Sequence, residues 1–259
     1  MNVYNLLLFI VTLIGGSAPL WLKGINDKRT NYLLAFSGSF LLSITLLHLL
    51  PETFEERGHA AGLFVLAGFF IQLLIQRITH GVEHGHAHVE TTDHGYQHHH
   101  PHDHHHHQPG HLHAIPLVSI ILGLSLHAFM EGLPLGFNYR MEATESSLYL
   151  AVAAHKLPEA MLLTSLVLTV KGRTKAFWVL FIFALITPLA SLLASYFSVR
   201  YFVMSELVKW VIPIVAGAFI HISTTIFFES GTRQHMLTWQ KTIAIMLGVG
   251  IGLTTLFFE

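Results

Sequence analysis

Eight apolar stretches, each about the length a helix needs to cross a bilayer, dominate this chain: residues 3–22, 31–50, 60–79, 114–138, 147–170, 175–198, 208–228 and 240–258. A hydrocarbon layer about 30 Å thick needs roughly 20 such residues in a helix. Short polar connections separate most of them, including Pro51–His59, Tyr139–Ser146 and Lys171–Thr174. Only 11% of the 259 residues are charged, less than half the roughly 25% of a soluble domain. Lipid offers no hydrogen bonds to a backbone, so helices are the only state open to these runs. The expected class is an all-α integral membrane protein of eight transmembrane helices. The first stretch has no basic residues before it, and Lys23 follows it, so it reads as a span rather than a cleaved signal.

Loop charges set the expected orientation. One side carries Lys23, Lys28, Arg29, Arg77, Lys171, Arg173, Lys175, Arg233 and Lys241, and the other Arg57, Arg140, Arg200 and Lys209. The richer side is assigned to the cytoplasm, leaving both termini outside. The organisation is one membrane domain: helices 1–3 in residues 1–79, a cytoplasmic loop over 80–113, and helices 4–8 in residues 114–259. A cell (inner or plasma) membrane is the expected location, multi-pass. No basic stripe points to nucleic acid, and the sequence leaves monomer and homodimer open.

Of 21 histidines, 15 fall between His80 and His113. His98, His99, His100, His102, His104, His105, His106 and His107 form the densest part of that segment, with Asp103 among them. Imidazole binds zinc, copper, nickel and iron well, whereas a segment this poor in apolar residues has no core to form. The loop is therefore read as a disordered, multi-site metal buffer. With no cysteine, thiolate sites are excluded.

Titratable groups within spans are costly and point to function. The fourth span holds His127 and Glu131, and the fifth His155 and Glu159. Each pair is spaced i, i+4 and so shares one helix face. At 1.5 Å per residue, His127 and Glu131 lie roughly 16 and 10 Å from the outer end, and His155 and Glu159 roughly 13 and 20 Å. All four fall in one layer near mid-membrane. Two imidazoles and two carboxylates suit zinc, and with added waters Fe2+ or Mn2+ as well. Auxiliary candidates are His48 and Glu52 near the outer end of the second span, and His221 on the inner half of the seventh. His48 is either a ligand at the outer mouth or an interface residue. Gly15, Gly16 and Gly38 read as sites of close helix contact.

These motifs resemble those of the ZIP family of zinc/iron permeases. The fourth-span His-x-x-x-Glu-Gly is His127 to Gly132, and the fifth-span His-x-x-Pro-Glu is His155, Pro158 and Glu159. His48, Leu49, Pro51 and Glu52 match the end of the second span, and Thr187-Pro188-Leu189 a stretch of the sixth. The resemblance implies both termini outside, a His-rich cytoplasmic loop, and uptake of a divalent metal toward the cytoplasm by alternating access, through an elevator-like movement of helices. It also implies a transporter, not an enzyme, with Zn2+ as the transported substrate and Fe2+, Mn2+ and Cd2+ as alternatives. Many relatives hold a second metal, using side chains at places filled here by Ala128, Lys156 and Thr187. None is a good ligand, so a mononuclear site is expected. Lys156 either pairs with Glu131 or Glu159 in place of that ion, or turns away toward a backbone carbonyl or water, since i+1 lies about 100° from His155.

Other classes fit the sequence less well. A cation-diffusion exporter has six spans and a soluble metal-binding domain after the last. A membrane metalloenzyme needs His-rich boxes at the membrane edge or His-Glu-x-x-His, and the spans contain neither.

Overall fold

The computed structural model of the chain describes residues 3–22, 27–79, 117–136, 145–200, 202–229 and 238–257. Every regular element among them is helical: α1 (Val3–Trp21), α2 (Asp27–Ile44), α3 (Leu50–Arg57), α4 (Ala60–Thr79), α5 (Leu117–Gly136), α6 (Glu145–Lys171), α7 (Arg173–Arg200), α8 (Phe202–Glu229) and α9 (Trp239–Thr255). A π turn over Thr45–Leu49 joins α2 to α3 without interruption, so the described helices form eight rods. Six are long and apolar enough to cross a membrane by length and composition, and Trp210–Ile226 of α8 is a shorter apolar run.

The second rod corrects the sequence reading, which ended that span at residue 50. The helix continues through Pro51 to Arg57. A proline inside a regular helix lacks an N–H and clashes with the carbonyl four residues back. Here the preceding turn widens, and the Leu50 N–H reaches back five residues to the Thr45 carbonyl. The wider turn makes room for the ring, and single-turn bulges are the usual form in which π geometry occurs inside α-helices. Arg57 then places its guanidinium 4.1 Å from the Trp210 ring of α8.

Outer surfaces are apolar, as lipid requires: Leu63 is 72% exposed, and Ile14, Ile182 and Met246 are similarly uncovered. Polar residues lie inside instead. Two sub-bundles result. In one, α1 packs along α6 and α7, and α5 along α7; in the other, α4 packs along α8, and α2 along α9. Leu34, Phe40 and Ile44 of α2 meet Leu148 and Val152 of α6 and Phe219 and Ile222 of α8, forming the core that joins the two.

Without a hydrophobic drive between helices in lipid, close approach has to come from small residues. A Cβ on Gly68 would strike the Ile214 carbonyl, and one on Gly217 the Val65 carbonyl, so α4 and α8 touch backbone to backbone. Gly132 and Gly136 bring α5 equally close to the Thr187 and Ser191 carbonyls of α7. Gly15 and Gly16 pack on Leu157 and Ala160 of α6, and Gly38 on Ile226 of α8. The first bundle is also tied by a buried polar knot. Tyr149 donates to Asn5 Oδ1 at 2.9 Å, and its hydroxyl lies 3.3 Å from Ser191 Oγ and 3.4 Å from the Leu135 carbonyl. One phenol thus touches α1, α5 and α7 from α6.

Candidate metal centre

The i, i+4 pairs on α5 and α6 turn toward each other. His127, Glu131, His155 and Glu159 each offer one ligand atom, and these atoms all lie within 4.8 Å of one another. All four side chains are at most 2% exposed. His127 Nε2 is 3.2 Å from Glu131 Oε1 and 3.6 Å from Glu159 Oε1. His155 Nε2 is 3.7 Å from Glu131 Oε1. The two imidazoles stand edge to face, with centroids 5.8 Å apart. Zinc bonds of about 2.0–2.2 Å set tetrahedral ligand atoms about 3.3–3.6 Å apart. Three of the six separations, 3.2, 3.6 and 3.7 Å, lie close to that edge length, and the whole set stays within 4.8 Å.

Lys156 completes the cluster from the opposite side. Its ammonium pairs with Glu131 Oε2, and with Glu159 Oε2 at 2.5 Å. Each carboxylate is therefore divided, with Oε2 on the lysine and Oε1 toward the imidazoles. Of the two orientations open to Lys156, the structure has the inward one. The side chain sits one turn before Glu159 and reaches across to α5, and it is 1% exposed. Phe183 of α7 lies beneath, with its centroid 5.0 Å from Nζ. The other two positions that resemble second-metal places in relatives are bonded to each other, since Thr187 Oγ1 donates to the Ala128 carbonyl at 2.9 Å. Pro158 has no N–H to give the Ala154 carbonyl one turn back, yet α6 continues through it.

A family model described as ZIP zinc transporter matches residues 3–256. The chain belongs to the ZIP family. No curated protein matches it. ZIP membership makes it a multi-pass membrane transporter of divalent metal, zinc by the family's name, and the buried His/Glu cluster is compatible with that.

The auxiliary candidates of this ZIP protein lie outside the cluster. His48 is buried in the π turn, with Nε2 2.7 Å from Thr255 Oγ1. That hydroxyl donates to the Gly252 carbonyl at 2.6 Å, so it accepts from the imidazole, and His48 joins α2 to the end of α9. Glu52 is half-buried one turn further along α3. His221 Nε2 donates to Gln76 Oε1 at 2.6 Å, and its ring stands edge-on to Phe69. The His-rich loop, His98 to His107 included, lies outside the described residues.

Sequence reading missed two participants. Gln72 of α4 is fully buried, with its amide Nε2 3.4 Å from His127 Nδ1. Two glutamines one turn apart in an otherwise apolar span, Gln72 and Gln76, were the available signal. The Tyr149 knot had none, because an aromatic hydroxyl in a span is ordinary.

Proposed function

We propose that the protein takes up zinc toward the cytoplasm, one ion at a time, bound by His127, Glu131, His155 and Glu159, with Lys156 standing where many relatives hold a second cation. The observation that carries this reading is the division of the two carboxylates: Oε1 atoms face two imidazoles at zinc-like spacing, while Oε2 atoms are both held by one ammonium.

The charges favour a carrier that can travel empty. Two carboxylates alone would leave two negative charges in a layer where even one is costly. Lys156 cancels one and leaves a single net negative charge, enough to attract a divalent ion and small enough to be tolerated without it. Two neutral imidazoles favour zinc over magnesium or calcium, which prefer all-oxygen sites. Inward direction is what the family resemblance implies; the loop charges, richer on the side with Lys171, Arg173 and Lys175, support only which side faces the cytoplasm. The site must open alternately to the two sides, and the two sub-bundles are the units able to shift.

The test is zinc uptake into proteoliposomes against a panel of divalent ions. Saturable zinc uptake is expected, abolished by Glu131→Ala and by Glu159→Ala in protein that still purifies monodisperse. Unchanged uptake in both variants would remove the assignment.

A further inference from the structure

Gln72 is buried on α4, a helix that packs one face on α8 and leaves the other uncovered. Its neighbours Phe70 and Leu74 are 52% and 63% exposed, whereas Gln72 is fully covered. An amide inside a membrane is kept only where it finds a partner on another helix. The partner here is His127, whose Nδ1 lies 3.4 Å away. The other ring nitrogen, Nε2, is the one that faces Glu131 Oε1 and Glu159 Oε1. The ring is thus held from behind by α4 and directed forward into the cluster.

Chemistry explains why an amide serves here. A neutral imidazole carries one proton. When Nε2 donates to a carboxylate, Nδ1 is a lone pair that accepts an amide N–H. When Nε2 gives its lone pair to a metal, Nδ1 carries the proton and needs an acceptor. An amide offers both an N–H and a carbonyl oxygen, and by turning over it satisfies either tautomer. Metal-bound histidines regularly give their second N–H to such an oxygen, which fixes the ring and makes it a better ligand. His155 differs: its Nδ1 is buried without a hydrogen-bond partner among the described residues.

We propose that Gln72 is a positioning residue for zinc binding, its amide oxygen accepting from His127 Nδ1–H so that Nε2 points at the ion. The proposal rests on the reading of His127 as a ligand. Gln72 belongs to the sub-bundle of α4 and α8, and His127 to that of α5 and α7. The orientation of the ring therefore depends on how the two sub-bundles sit.

Zinc affinity of the full-length purified chain tests this, with binding by the His-rich loop subtracted using the double variant Glu131→Ala/Glu159→Ala. Gln72→Leu keeps size and removes acceptance. It is expected to weaken the site about 10–100-fold, the usual effect of losing such a partner, and to raise KM for uptake more than it lowers the maximal rate. Gln72→Glu keeps an acceptor and is expected to stay within a few-fold of the parent. The two substitutions are thus expected to differ: parent-like affinity in both variants, or equal weakening in both, would overturn the proposal. If the double carboxylate variant binds as much zinc as the parent, the ligand assignment itself fails, an outcome read without any change at position 72.

Discussion

Lys156 and Glu131 are joined across the α5–α6 interface through Glu131 Oε2, while Glu131 Oε1 stays turned to His127 Nε2 at 3.2 Å. One carboxylate therefore faces a fixed cation on one side and the proposed place of a transported cation on the other. Fixed and mobile charge share it, and removing the fixed one should change what the mobile one does.

Lys156→Ala is expected to leave two buried carboxylates without their shared ammonium, a loss of about 3–5 kcal/mol by analogy with other buried pairs. Thermal unfolding in detergent should shift down accordingly and recover partly on adding zinc, since a ligand of the native state stabilises it. Lys156→Asp supplies a third carboxylate at the same place. Metal analysis on a loop-deleted background should show one zinc per parent chain rising toward two in Lys156→Asp. Two tightly held ions in the parent would contradict the mononuclear reading.

Helix contact predicts a contrast between two glycines. A Cβ on Gly217 would overlap the Val65 carbonyl of α4, whereas one on Gly250 meets nothing within 4 Å. Gly217→Ala should cost about 1–3 kcal/mol through overpacking and lower the melting temperature. Gly250→Ala should leave it unchanged or slightly raised.

Tyr149→Phe removes one hydroxyl from the knot of Asn5, Leu135 and Ser191. A buried polar group left without its partner costs about 1–3 kcal/mol, so melting should fall while the proposed metal ligands remain in place. Zinc affinity equal to the parent, measured beside the lowered melting point, would identify the knot as structural. Lost affinity at unchanged stability would contradict that.

Deleting residues 84–113 with a short linker retained should lower the total zinc bound per chain, because most of the chain's histidines fall in or beside that segment. Saturable uptake should largely persist, since the four proposed ligands lie in α5 and α6. A folded, inserted deletion variant with no uptake would show that the loop takes part in transport.

Much of this protein could be read from residue order alone because lipid enforces simple rules. Long apolar runs must be helices, and charged groups among them must have a purpose. The i, i+4 spacing puts His127 with Glu131 and His155 with Glu159 on shared faces before any helix is packed. Paired motifs in the fourth and fifth spans point to the ZIP family on the same local basis. Local periodicity says nothing of how neighbouring helices rotate against each other. A position next to His155 on the helical wheel left Lys156 with two directions, and the approach of α5, made close by Gly132 and Gly136, placed Glu131 within its reach. Gln72 went unread in the sequence, because only the lie of α4 behind His127 gives it a role. His48 and His221 were auxiliary metal candidates by type, and the tertiary structure adds contacts with Thr255 and Gln76 from distant parts of the chain. Pro51 opened what read as a polar connection, and the π turn before it lets the helix run on through it. Residue order determined which groups had to be inside the membrane; which groups meet there depended on helix rotation, set by contacts between residues far apart in the chain.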